Sequence, residues 1–104
     1  MILKIYAYYN KLIEAFDTKF QLDDHEDSKV VYNVQRGLKA RLALGTYQDL
    51  KFLAFYKLGT FDDETGEFVA DKTLLVDFDN VIAQFEAKNI KKENTNEQPI
   101  GTSN

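Results

Sequence analysis

The sequence predicts an α+β fold. A mostly antiparallel sheet of about four to five strands, in ββαβββα order, carries two helices on one face and ends in a disordered C-terminal tail. Three observations point there. Residues 1–9 are dense in β-branched and aromatic side chains, which suit a pleated, half-buried surface. Val30, Val34, Leu38 and Leu42 recur every four residues between an acidic connector and Gly45, the stripe of a helix that buries one side. Residues 56–68 read as a strand, an acidic turn and a return strand, a hairpin signal.

Each element follows from local chemistry. The first strand alternates Ile2, Lys4, Tyr6 and Tyr8 against Leu3, Ile5, Ala7 and Tyr9, because successive strand side chains point to opposite faces. Asn10-Lys11 is a two-residue turn, since Asn tolerates positive φ. Residues 12–22 then continue as a second strand, with a helical reading of residues 11–16 as the alternative. Residues 23–28 form a charged connector whose acids precede a helix, where the positive end of its dipole favours them. Asp27 or Ser28 caps that helix. Gly37 weakens its middle by about 1 kcal/mol relative to Ala, and Gly45 closes it in the left-handed conformation.

Residues 50–61 make a long strand with large apolar residues on both faces, which suits a central position. Gly66 fits the left-handed residue after a type I turn. Residues 67–70 return as a short strand and residues 73–78 make another. Asp77 or Asp79 caps a last helix with the stripe Val81, Ile82, Phe85 and Ile90. Residues 1–90 are thus expected to form a single domain. Residues 91–104 are polar throughout most of their length and form a disordered tail, because such a segment buries too little surface to offset its ordering entropy.

Composition bounds the function. At 104 residues the chain supports one core, which eight Phe and six Tyr can fill. Cys is absent, which excludes disulfides, thiolate catalysis and Cys-based metal sites. The polar start and the absence of a long apolar run predict neither a secretory leader nor a membrane span, and so a cytoplasmic protein. With one His and no nucleophile motif, an enzyme would have to rest on scattered carboxylates; none is expected, nor is a cofactor, metal or small-molecule substrate. His25 reads as a solvated connector residue. The turn containing Asp62, Asp63, Glu64 and Glu67 reads as a solvated hairpin, because it lacks the further oxygen ligands a calcium loop needs.

The net charge of −4 opposes generic attraction to nucleic acid. The charge is uneven, however. Residues 28–48 hold Lys29, Arg36, Lys39 and Arg41 and no acid, leaving nine basic and seventeen acidic residues elsewhere, a net of −8. Lys29, Arg36 and Lys39 share roughly one helix face, away from the apolar stripe, with Arg41 on the flank. An ordinary solvated face has the same pattern; the missing acids favour an anion site. Tyr6 and Tyr8 alternate with Lys4 on one strand face, as in a platform where bases stack beside groups that track phosphates. Core packing is the other use of such rings.

Three blocks carry a family resemblance. The runs Ile5-Tyr6-Ala7-Tyr8-Tyr9-Asn10-Lys11, Glu14-Ala15-Phe16-Asp17-Thr18-Lys19-Phe20 and Tyr56-Lys57-Leu58-Gly59-Thr60-Phe61-Asp62-Asp63-Glu64-Thr65-Gly66 resemble the opening strand, the aromatic second strand and the acidic hairpin of the small nonstructural protein of gokushovirus-like Microviridae phages. The chain departs at Thr18-Lys19, where that family commonly has proline, and in its more basic middle. The resemblance implies a non-enzymatic single-stranded DNA-binding protein of a small phage, working in genome replication or packaging in the host cytoplasm. The expected DNA-binding residues are Lys29, Arg36, Lys39, Arg41, Lys4, Tyr6 and Tyr8. Strands that are apolar on both faces also predict a homodimer. The competing expectation is a protein-interaction module, a capsid-assembly or host-factor adaptor, that makes no use of the basic helix.

Overall fold

A computed structural model describes residues 1–89 in full and, beyond them, only the backbone of one helix as far as Gly101. The tail expected over residues 91–104 lies outside the fully described residues. The elements are β1 (Ile2–Asn10), β2 (Ala15–Phe16), β3 (Gln21–Asp23), α1 (Asp27–Leu44), β4 (Leu53–Asp62), β5 (Phe68–Asp77) and α2 (Phe78–Gly101). They build the expected α+β architecture. One five-stranded antiparallel sheet runs β2-β1-β4-β5, with β3 pairing β1 beside β2.

Alternation along β1 sorts the sheet into two faces. Tyr6 joins Phe55, Val76, Phe78, Ile82 and the α1 residues Val30, Leu38 and Leu42 in the core, so both helices lie on the face of Lys4, Tyr6 and Tyr8. Leu3, Ile5, Ala7 and Tyr9 point the other way. β4 is central, paired to β1 on one side and β5 on the other. Leu58 is bulged between the pairs Ile5–Gly59 and Tyr6–Lys57, which raises the local twist. Gly59 sits there at φ 154°, where a Cβ would fall on the Val69 carbonyl oxygen, so only glycine lets the two backbones approach.

The second strand differs from expectation. Residues 12–22 are neither one strand nor a helix, but the two short strands β2 and β3. Asn10 Oδ1 accepts the N–H groups of Leu12 and Ile13 at 2.9 and 3.4 Å, Asp17 Oδ1 accepts that of Lys19 at 2.9 Å, and Glu14 has φ 53°. Such local side-chain bonds compete with a ladder. At the other end, β5 is one ten-residue strand where two were expected. The Asp71-Lys72 step does not break it, because irregularities in the β4–β5 register absorb the mismatch. The order is therefore βββαββα.

Helix ends repeat the contrast. Glu26 occupies the N-cap of α1 and gives no side-chain capping bond, in place of Asp27 or Ser28. Gly45 ends α1 as expected at φ 73°, with its N–H on the Leu42 carbonyl and that of Thr46 on the Arg41 carbonyl, a Schellman closure. A 3-10 turn over Gln48–Leu50 delays the start of β4 to Leu53.

Candidate nucleic-acid interface

The outward side of α1 follows from its 100° step. Val30, Leu38 and Leu42 are buried against the sheet. Lys29, Tyr32, Arg36 and Lys39, spaced by three, four and three residues, form a stripe on the opposite side, and all four are exposed. Among the described residues, the Lys29, Arg36 and Lys39 side chains enter no hydrogen bond or salt bridge. The only acid within α1 is Asp27, and its carboxylate is already held by Tyr6 and Lys57. The stripe is thus three free cations around an exposed ring (Tyr32 is 61% exposed). Tyr32 escapes a search for strand tyrosines, although its spacing from Lys29 and Arg36 places it between them.

Arg41 does not join the stripe. Its Nε donates to the Thr46 carbonyl at 2.5 Å and an Nη to Asp49 at 2.7 Å, so it pins the turn after α1 to the helix end. Lys4 is also occupied: its Nζ donates to the His25 carbonyl at 2.9 Å.

Tyr6 requires correction as a stacking group, and Tyr8 as part of an open strand platform. Tyr6 is fully buried, stacked on Phe55 at 5.4 Å between centroids and 13° between planes. Its hydroxyl donates to Asp27 Oδ1 at 2.6 Å. Burial and that carboxylate push the phenol up from its ordinary range, and the Tyr6 bond, helped by Lys57, holds Asp27 below the usual carboxylate range. The pair ties β1 to the first turn of α1 and has no face for a base. Tyr8 packs against Phe55 and Phe78 at 5.0 and 5.8 Å, and its burial raises its phenol too. The strand alternation was legible in the sequence; which face the helices cover was not.

Tyr8 instead lies at the floor of a cleft of about 420 Å³ between α1 and the β1–β3 side of the sheet. Val34, Leu38 and Phe78 share the floor, and Gln21, Asn33 and Gly37 reach its mouth. Asp23 and Arg41 also line it, each already bonded within the fold, to His25 and to Asp49.

The other sheet face carries a second surface. Tyr9, Phe16 and Tyr56 form a ring cluster with centroids 4.8 to 6.1 Å apart. On the same face Leu22, Phe68 and Leu74 are 56%, 55% and 49% exposed. No helix of the described residues packs on this side.

Two acidic features have local explanations. Asp23, Asp24 and His25 bring ligand-type atoms within 4.8 Å of one another, but Asp23 Oδ1 accepts the His25 amide at 2.7 Å and lies 2.6 Å from its ring Nδ1. Those bonds hold the Asp23 carboxyl low. In the hairpin, Asp62 Oδ1 accepts the Glu64 N–H at 2.9 Å, and the N-terminal ammonium lies 2.9 Å from Asp63, so the turn acts as a latch on the start of β1. Within the described residues no helix is long and apolar enough to cross a membrane. Comparison with protein-family models, curated proteins and solved structures finds no match for the chain.

Proposed function

We propose that the chain is a non-enzymatic single-stranded DNA-binding protein, acting in replication or packaging of a small phage genome. The observation that carries the reading is the α1 stripe: Lys29, Arg36 and Lys39, whose side chains make no salt bridge among the described residues, around an exposed Tyr32. Cations that track phosphates beside a ring that accepts a base are the elements of single-strand recognition. The likeness of residues 5–11, 14–20 and 56–66 to a single-stranded DNA phage family supports the same reading. Of the residues first expected at the interface, Lys29, Arg36 and Lys39 keep a direct role, Tyr32 replaces Tyr6 as the stacking group, and Arg41 and Lys4 act on the fold.

The test is fluorescence anisotropy of the pure protein with single-stranded and duplex oligonucleotides at two salt concentrations. Tighter binding of the single strand, weakening steeply with salt as counterions are released, is the expected result. An absence of binding at low salt defeats the reading.

The open sheet face favours a second element of function, association. Its occupant is a second copy of this chain: the face has no partner within the described fold, and a two-fold contact is the commonest way to cover one. Face-to-face packing leaves one α1 stripe on each outer surface, so self-association and DNA binding are compatible. An adaptor role rests on this same face, with the helix stripe idle. Reversing the charges at Lys29, Arg36 and Lys39 separates the two, since only the DNA-binding reading loses function.

A further inference from the structure

The cleft beside α1 has no role in the phosphate stripe, yet it opens next to it. Asn33 is four residues after Lys29 and three before Arg36, so its side chain neighbours both cations on the helix surface. Gly37 follows one turn later on the same side. From this placement we propose that the cleft receives one unstacked base of the strand whose phosphates lie along Lys29 and Arg36. The inference rests on the DNA-binding reading above and adds a base site to it.

The cleft has the chemistry of a base site. Its volume of about 420 Å³ lies within the range of roughly 300–1,000 Å³ in which small-molecule sites are built. Tyr8, Val34, Leu38 and Phe78 supply an apolar and partly aromatic floor, suited to the face of a flat heterocycle. At the mouth, Gln21 and Asn33 each offer a carboxamide with donors and an acceptor, the complement of the mixed edge of a base. Neither carboxamide has a hydrogen-bond partner among the described residues, and both residues are exposed.

Gly37 gains an explanation. A glycine inside a helix is unfavourable, and no packing contact requires one here, since nothing lies within 4 Å of where its Cβ would stand. A side chain at this position would instead project over the cleft mouth. The helix thus gives up local stability where a ligand would enter.

The experiment compares a labelled oligothymidylate with an abasic strand of equal length by anisotropy at low salt, for the wild type and for Gly37→Leu. The wild type is expected to bind the abasic strand at least about fivefold more weakly. Gly37→Leu should melt no lower than the wild type, because leucine is the better helix former. It should nevertheless lose part of the wild-type preference for oligothymidylate over the abasic strand, keeping only the share that stacking on Tyr32 supplies. Equal wild-type affinity for the two strands, or a Gly37→Leu protein whose preference for bases equals that of the wild type, overturns the base site and leaves phosphate binding standing. If neither strand binds, the base site and the DNA-binding reading fall together. A Gly37→Leu protein that melts lower is replaced by Asn33→Ala, which must narrow the difference between the two strands for the base site to stand.

Discussion

Tyr6 places its ring in the core and its hydroxyl 2.6 Å from Asp27, so one residue of β1 both fills the interior and anchors the first turn of α1. Tyr6→Phe keeps the ring and removes the donor. It should cost about 1.5–3 kcal/mol, the worth of a hydrogen bond to a charged group, in urea denaturation, while leaving DNA affinity unchanged. A loss of affinity at unchanged stability would instead return Tyr6 to the binding surface. The same pair sets a pH dependence. Asp27 titrates below the ordinary carboxylate range in the fold, so its contribution is present above about pH 4 and is lost as pH falls through its depressed value. Tyr6 titrates above the ordinary phenol range, so its contribution is complete below about pH 10 and is lost as pH rises beyond it. Melting temperature against pH should fall at both ends, and Tyr6→Phe should flatten the alkaline limb.

The helix α1 carries two opposite surfaces that its sequence spacing separates cleanly. Val30, Leu38 and Leu42 hold it to the sheet, and the stripe of Lys29, Tyr32, Arg36 and Lys39 faces water. Neutralising the three cations with glutamine should leave the fold intact, since none makes an internal bond among the described residues. In salt titrations the slope of log affinity against log salt should shrink by about 2, at roughly 0.7 per phosphate contact on a single strand. An unchanged slope would place the contacts elsewhere. Arg41→Gln should behave differently and lower stability, because its guanidinium bridges Thr46 and Asp49.

Among the described residues the sheet has one face covered by helices and one open. The open side holds Leu22, Phe68 and Leu74 at about half exposure together with the Tyr9, Phe16 and Tyr56 rings. Exposed apolar side chains gathered on one sheet face are where an interaction is expected. Light scattering at high concentration should report twice the 12.0 kDa chain mass, and Leu74→Lys should return it to the monomer by placing a charge on the buried patch. A wild-type protein that remains a monomer rules out the two-fold contact. DNA binding by the Leu74→Lys monomer, weaker through lost avidity, would show that the helix stripe works without dimerisation.

Long, repetitive signals were legible in the sequence. The alternation of residues 1–9, the four-residue stripe ending at Gly45 and the acidic hairpin each specify their element locally, through backbone period or through one glycine at positive φ. The α+β architecture and the central place of β4 follow from them. The course of residues 12–22 was decided by competition, because Asn10 and Asp17 offer the backbone local bonds that a propensity reading does not weigh against a ladder. Whether residues 67–78 form one strand or two depended on register against β4, a relation between distant segments. The proposed binding surface divided the same way. The charge asymmetry of residues 28–48 located the basic helix from sequence alone. The fates of Tyr6, Tyr8 and Arg41 were settled only when the helices chose a face of the sheet and Asp49 came round to α1. Burial and ion pairing are properties of residues far apart in the chain, and tertiary structure alone brings them together.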